Sequence, residues 1–359
     1  MSTAPRLGRV PALDGLRAIA VLLVMWFHTV GKDFSGGRAG VDVFFVLSGF
    51  LITALLLEER DAHGGISLRN FYMRRVLRLY PALVVAIAGA LVLAAARIPI
   101  FDASSHALRE TAKMTPFTLL YTINIPRALD ISGGGYLGHA WSLAIEEQFY
   151  LVWPIVVILL LRSRHEVAVG WVALGCAVAS TLSRTVLDLA GYSSEMVYNA
   201  TFSHVDGIFA GCALAVFWRR RPDLVGRLSG PTTSILAVVV AGVVIGWGEY
   251  MNEYGFAVVV MATTVVVADI VTDRTSSHAE WLSHPAAVAI GRRSYGLYLY
   301  HWPIFLFIGI DTRPHMLALG YGATFAAAWI SYRWIEQPFL AKKGRWSSSR
   351  AAPAAPASA

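Results

Sequence analysis

Two ionisable residues, Arg17 and His28, lie in the first long apolar stretch of the sequence. They are eleven residues apart, which on an α-helix is about three full turns and about 16 Å along the axis. One helix face would then present a permanent cation and, deeper in the membrane, an imidazole that could act as a general base. Alternatively, Arg17 pairs with Asp14 as an interfacial anchor and His28 is a hydrogen-bonded packing residue.

Two acidic residues are candidates to assist such a base. Asp33 follows His28 by five residues and could orient the imidazole and stabilise its protonated form, or it could be a solvated loop charge. Ser142, Glu146 and Tyr150 follow each other at helical spacing, so they form a polar stripe that must face protein or water rather than lipid. Glu146 is therefore a better candidate than Glu147.

Arg75 and Arg78 share a helix face at i, i+3. Planar guanidinium groups bind phosphates bidentately, and coenzyme A carries a diphosphate and a 3′-phosphate. The distance between Arg17 and His28 also suits the reach of a pantetheine arm. These residues predict an acyl-CoA donor, although the two arginines could equally belong to the ordinary excess of cytoplasmic arginines that bind lipid headgroups.

The elements that must position these residues are membrane helices. The chain of 359 residues is 56% hydrophobic and 15% charged, with a mean hydropathy of +0.56, and a helix of about 20 apolar residues crosses a bilayer. We predict an all-α integral membrane protein of about ten transmembrane helices. A shorter apolar segment, residues 115–126, suits a re-entrant or interfacial piece. The predicted spans are residues 13–30, 40–57, 79–96, 141–161, 167–187, 201–218, 232–249, 254–272, 294–310 and 316–335.

The distribution of basic residues predicts the orientation. With both termini in the cytoplasm, the inner segments hold 20 Lys and Arg and the outer segments hold 7, as the positive-inside rule requires. The formal charge of +7 thus reflects topology, and no nucleic-acid partner is implied. The bias toward Ala, Val, Gly and Arg indicates a bacterial source. We therefore expect a multi-pass protein of the bacterial cytoplasmic (inner) membrane, in contact with membrane lipids.

Residues 1–340 form the predicted membrane domain. Residues 341–359 are a tail rich in Ser, Ala and Pro, whose composition predicts a disordered cytoplasmic end. Two small-residue spacings, Gly207-x-x-x-Gly211 and Gly242-x-x-x-Gly246, predict close helix packing. The sequence lacks the H-E-x-x-H, G-x-S-x-G and P-loop motifs, so we predict no metal site, serine hydrolase or ATPase.

Taken together, these segments resemble the acyltransferase 3 family of membrane O-acyltransferases over Leu13 to Phe339. The segment from Arg17 to His28 resembles the R-x10-H motif of that family, and Arg75-x-x-Arg78 resembles its R-x-x-R motif. The segments that carry the resemblance are Leu13-Asp14-Gly15-Leu16-Arg17 through His28, Gly40 to Phe50, Arg75-x-x-Arg78, Trp141 to Tyr150, Ser294 to Pro303 and Tyr332 to Pro338.

The resemblance implies that His28 is the essential histidine and that Asp33 is its acidic partner. It assigns acyl-CoA contacts to Arg75 and Arg78, and Arg17 carries over with the first motif. It also makes Glu146 the acid of the W-S-L-x-x-E motif. The implied function is transfer of an acyl group, from acetyl-CoA or a short-chain acyl-CoA, to a hydroxyl of a sugar-containing acceptor.

That acceptor could be an envelope glycan, a glycolipid or a glycosylated natural product such as a macrolide. His28 would be the general base, although the residues also allow it to be a transient acyl carrier. The alternative is a transporter or flippase of a lipid-linked sugar, in which the buried charges form the pathway.

Overall fold

The computed structural model describes residues 4–30, 38–101, 105–162, 165–246, 255–310 and 314–346. In these ranges the chain is α-helical, with short 3₁₀ and π-helical turns and no β-strand. The helices of the first half are α1 (Pro11–Val30), α2 (Ala39–His63), α3 (Leu68–Phe101), α4 (His106–Leu119), α5 (Asn124–Ala128), α6 (Trp141–Leu161), α7 (Glu166–Leu189), α8 (Ser194–Asn199) and α9 (Asp206–Arg220). Those of the second half are α10 (Pro222–Leu228), α11 (Pro231–Gly246), α12 (Gly255–Thr272), α13 (Ser277–Leu282), α14 (Pro285–Arg292), α15 (Ser294–Ile308), α16 (Leu317–Ser331) and α17 (Gln337–Lys342).

The all-α membrane character of the chain is confirmed. Each of the ten predicted spans overlaps a helix of the described residues. Six helices in that part of the chain are long and apolar enough to cross a membrane, or seven if the bent pair α10–α11 counts as one span. The six are Pro11–Thr29, Ala39–His63, Leu68–Ile98, Gly135–Leu161, Glu166–Leu189 and Gly255–Thr272. The arrangement with ten spans stays a prediction.

The remaining predicted spans correspond to shorter helices. Helices α9, α15 and α16 have 15 residues each, and at about 1.5 Å per residue such a helix is shorter than a bilayer core of about 30 Å. Helix α16 is extended by a π-helical turn, Tyr332–Glu336. The segment 115–126, which we excluded from the spans, is divided between the end of α4, a turn and α5.

Helix α3 begins at Leu68, eleven residues before the predicted span. The segment between the second and third spans is therefore mostly helical rather than a loop. As a result, Arg75 and Arg78 lie on α3 itself, where the helix holds both side chains on one face.

The packing of α2 on α9 depends on glycine. The backbone at Gly49 lies against the backbone of Ile208, and that at Gly211 lies against Val46. This confirms the packing role predicted for Gly207-x-x-x-Gly211. The prediction was wrong for Gly242-x-x-x-Gly246, because, apart from the chain neighbours and the backbone of the same helix, no atom of the described residues lies within 4 Å of a Cβ placed at either glycine. Helix α11 does pack on α12, but these two glycines do not face it, so spacing alone does not show which side of a helix is packed.

We expect Gly211→Ala to destabilise the folded protein, because its methyl group would overlap the carbonyl oxygen of Val46. Overpacking of this kind costs about 1 to 3 kcal/mol. Thermal unfolding in detergent should show a lower midpoint for Gly211→Ala, while the matched control Gly242→Ala should unfold like the wild type. Equal midpoints for the two variants would contradict the close approach of α2 and α9.

Candidate active site

A cavity of about 330 Å³ lies among helices α1, α2, α3, α6 and α15. This volume is within the range of about 300 to 1,000 Å³ that small-molecule sites occupy. Four of the six predicted site residues line it: Arg17 of α1, Arg75 and Arg78 of α3, and Glu146 of α6. The fold therefore brings together the three arginines predicted to bind the donor and one of the predicted acids.

Positive charge exceeds negative charge in the cavity wall. The cations are Arg17, Arg74, Arg75, Arg78 and Lys343, and the carboxylates are Glu59, Glu146 and Glu147. Glu59 is held by Arg74 at 2.9 Å. Within the described residues, Arg78 has neither an ion pair nor a hydrogen bond. Half-buried cations without partners are costly unless an anion is nearby, so this wall suits a ligand that carries several negative charges.

Arg17 and Arg75 have neighbours that fix their side chains. The guanidinium of Arg17 lies 3.7 Å from the carboxylate of Asp14, so the predicted local pair exists while Arg17 also lines the cavity. The guanidinium of Arg75 lies over the ring of Tyr150, 3.4 Å from its centre. This stacking uses the face of the guanidinium, so the N–H groups at its edge remain available to hydrogen-bond other partners.

The polar stripe on α6 faces the cavity, as its spacing predicts. Ser142, Glu146 and Tyr150 all line the wall. The hydroxyl of Ser48 donates a hydrogen bond of 2.6 Å to Oε1 of Glu146, which orients that carboxylate. Glu147 also lines the cavity, so exposure to the cavity does not separate the two acids.

His28 lies outside the cavity wall, in a group of aromatic rings on α15. Its Nδ1 is 2.9 Å from the carbonyl oxygen of Val24 and 3.2 Å from Nε2 of His301. The centres of the His301 and Trp302 rings lie 5.0 and 4.7 Å from the centre of the His28 ring. His28 is thus fixed from two sides by the helix that the sequence analysis did not connect with it.

Contacts lead from the cavity to His28 through Tyr298 and His301. Tyr298 lines the cavity, and its ring centre is 5.5 Å from that of His301. Its hydroxyl donates a hydrogen bond of 2.7 Å to the carbonyl oxygen of His139 and accepts one of 2.5 Å from Ser142. Tyr298 and Ser142 therefore form the wall between the cavity and the histidines.

Asp33, the predicted acidic partner of His28, lies outside the described residues. Its role stays a prediction. The structure does show a residue in direct contact with the His28 imidazole, namely His301.

Lys343 is a cavity residue that the sequence analysis missed. It belongs to the 3₁₀ turn Lys343–Trp346, whose Trp346 carbonyl accepts a hydrogen bond of 2.8 Å from Arg74. Burial and the neighbouring arginines lower the pKa of Lys343 to about 8, because nearby positive charge and low polarity both disfavour its charged form. The only signal in the sequence is the basic pair Lys342-Lys343 after the last predicted span. Residues 347–359 of the predicted tail lie outside the described residues.

A second group of charges is buried away from the cavity. Asp42, in the first turn of α2, is fully buried, and its Oδ1 lies 3.3 Å from Nε2 of His204. Nearby, Arg184 and Asp206 form a buried ion pair of 2.6 Å. None of these four residues lines the cavity. They connect α2, α7 and the start of α9.

Comparison with known proteins agrees with the motifs. The Acyl_transf_3 family model, described as an acyltransferase domain, matches residues 10–333. The peptidoglycan O-acetyltransferase OatA of Listeria monocytogenes is 31% identical over 92% of this chain and 55% of its own. The O-acetyltransferase OatA of Staphylococcus aureus is 31% identical over 93% of this chain and 58% of its own.

The chain thus spans less than three fifths of the length of these two relatives. No solved structure matches it. The family match includes α1 with Arg17 and His28, the arginines of α3, Glu146 on α6 and the histidine of α15. Because this match covers nearly the whole of the helical domain, the chain belongs to the acyltransferase 3 family.

Proposed function

We propose that the protein is a bacterial membrane O-acyltransferase that moves an acyl group from acyl-CoA to a hydroxyl of a sugar-containing acceptor. The observation that carries this proposal is the convergence of Arg17, Arg75 and Arg78 in one cavity. A residue of the cavity wall, Tyr298, contacts His301, which in turn contacts His28. The names of the two relatives support the reaction class.

The donor site is argued from charge. Coenzyme A carries phosphate groups at one end and the thioester at the other end of a flexible arm. The cations of α3 and Lys343 suit the phosphates, and the apolar side chains of Phe44, Phe45 and Leu51 line the cavity beside them. The arm would then direct the thioester toward Tyr298 and Ser142.

The proposed reaction uses His28 as a general base. Its imidazole takes the proton of the acceptor hydroxyl, and the oxygen attacks the carbonyl carbon of the thioester. This attack forms the new C–O bond of the ester. The C–S bond then breaks, and the leaving thiolate of coenzyme A takes the proton from the imidazolium. Because His28 does not line the cavity, transfer requires the wall formed by Tyr298 and Ser142 to open.

The acceptor is proposed from the relatives and from the resemblance. One relative is named for peptidoglycan, a glycan that carries free hydroxyls, so an envelope glycan leads the proposed acceptors. A glycolipid and a glycosylated natural product such as a macrolide share the same reactive group.

The proposed topology has ten spans, with both termini and the donor phosphates in the cytoplasm. Gly65 and Gly133 are exposed, with open space around a Cβ at each, and the topology places them on opposite sides. After replacement of Cys176 and Cys212, an impermeant thiol reagent should label Gly133→Cys in intact cells and Gly65→Cys only in inverted vesicles. Labelling of both from one side would contradict ten spans.

The function is tested by thioester consumption with purified protein. Acetyl-CoA and other short-chain acyl-CoAs should release free thiol only when a hydroxyl-bearing glycan is added, and the acyl group should be found as an oxygen ester on that glycan. Movement of a lipid-linked sugar across vesicles without thioester loss would instead identify a flippase and would refute the proposal.

A further inference from the structure

We infer that His301 is a positioning residue for His28: it accepts a hydrogen bond from Nδ1 of His28 and so presents the Nε2 lone pair of His28 to the acceptor. As a role in catalysis this rests on the proposed function, but the hydrogen bonds can be assigned independently of it. The argument starts from His301, which is fully buried on α15.

The backbone determines which nitrogen of His301 carries its proton. Nδ1 of His301 lies 2.7 Å from the carbonyl oxygen of Tyr298 and 3.2 Å from that of Leu297. Carbonyl oxygens only accept hydrogen bonds, so this nitrogen must be the donor. A neutral imidazole has one N–H, which leaves Nε2 of His301 as an acceptor.

The same reasoning then applies to His28. Its Nδ1 lies 2.9 Å from the carbonyl oxygen of Val24 and 3.2 Å from the Nε2 acceptor of His301. Both neighbours are acceptors, so Nδ1 of His28 carries the proton and shares it between them in a three-centre hydrogen bond. The opposite tautomer would place lone pairs against each other at both histidines.

This arrangement leaves Nε2 of His28 unprotonated, which is the nitrogen that a general base uses. When that nitrogen takes a proton, Nδ1–H still donates to both acceptors, so His301 stabilises the imidazolium as well as the orientation of the ring. In other enzymes a carboxylate often supplies this acceptor. Here a neutral imidazole supplies it, and Trp302 holds the other side through its ring contact and its own hydrogen bond of 3.0 Å to the carbonyl oxygen of Gly135.

Two amide variants separate the two nitrogens of His301. The side chain of Asn reaches the position of Nδ1 but places nothing at Nε2, whereas the carboxamide of Gln reaches the position of Nε2. We expect His301→Asn to lower kcat about 10- to 100-fold, as loss of a hydrogen bond to a charged group does. The KM for acyl-CoA should stay nearly constant, because His301 does not line the cavity, and His301→Gln should recover most of kcat. Equal losses in the Asn and Gln variants would overturn the inference.

A second measurement does not depend on activity. In ¹⁵N-labelled-histidine protein, the resonances that disappear in His28→Ala identify His28, and we expect them to show a protonated Nδ1 and an unprotonated Nε2. The reverse tautomer would overturn the inference, whether or not the protein transfers acyl groups and whether or not the Asn variant folds. An inactive wild type with the expected tautomer would refute the proposed function but uphold the hydrogen bonds.

Discussion

His28→Ala is expected to lower the rate of acyl transfer by about 10² to 10⁴-fold, the usual contribution of a general base. Donor binding should survive, because the His28 side chain is not part of the cavity that holds the cations. The measurement is single-turnover transfer from a labelled acyl-CoA, together with equilibrium binding of coenzyme A to the same preparation.

His63→Ala is the matched control. His63 is an exposed residue at the end of α2, outside the cavity, so its replacement should change neither rate nor binding. Nearly normal turnover in folded His28→Ala would show that His28 is not the general base, and His301 would then have no positioning role in catalysis.

Arg78→Ala is expected to weaken donor binding about 10- to 150-fold, which corresponds to the loss of a charged hydrogen-bond partner worth about 1.5 to 3 kcal/mol. Arg78 forms no ion pair within 4 Å among the described residues, so its removal breaks no salt bridge of the cavity wall and the main effect should be on the ligand. The KM for acyl-CoA should rise while that for the acceptor stays nearly constant.

Two further variants make this result specific. Arg78→Lys should recover only part of the affinity, because an ammonium keeps the charge but lacks the planar fork. Arg227→Ala, at an exposed position on α10, should have no effect. Unchanged donor affinity with weakened acceptor binding in Arg78→Ala would assign these arginines to the glycan or to lipid.

Local sequence patterns predicted several residues that line the cavity, but they did not predict where the cavity ends. Arg17 and His28 were found because ionisable groups in apolar helices are rare, and the stripe through Glu146 was found from helical spacing. These signals need only the local sequence. They did not show that His28 lies beyond the wall of the cavity, because that depends on how α15 packs against α1.

The misses share this cause. Tyr298 and His301 act through contacts with helices far away in the sequence, and Lys343 reaches the cavity only because the turn after α17 packs on α3. Likewise Gly242 has the spacing of a packing motif, but among the described residues nothing packs on it, whereas Gly49 lies against the backbone of Ile208 without having that motif. Hydropathy located the helices, but it did not decide how many of them are long enough to cross the membrane.

The hydrogen-bonded wall of Tyr298 and Ser142 also bears on energy conservation in the cell. A continuous water path from the cavity to the far side of the membrane would let protons run down their gradient, and each charge would dissipate about 2.3 kcal/mol per 100 mV of potential. Both hydroxyls are buried, and each already donates its proton, Ser142 to Tyr298 and Tyr298 to the carbonyl oxygen of His139, so neither has an O–H left to donate to a chain of waters. The closed wall therefore interrupts a water path between the cavity and the histidines, which is what a membrane enzyme needs if it is not to leak protons.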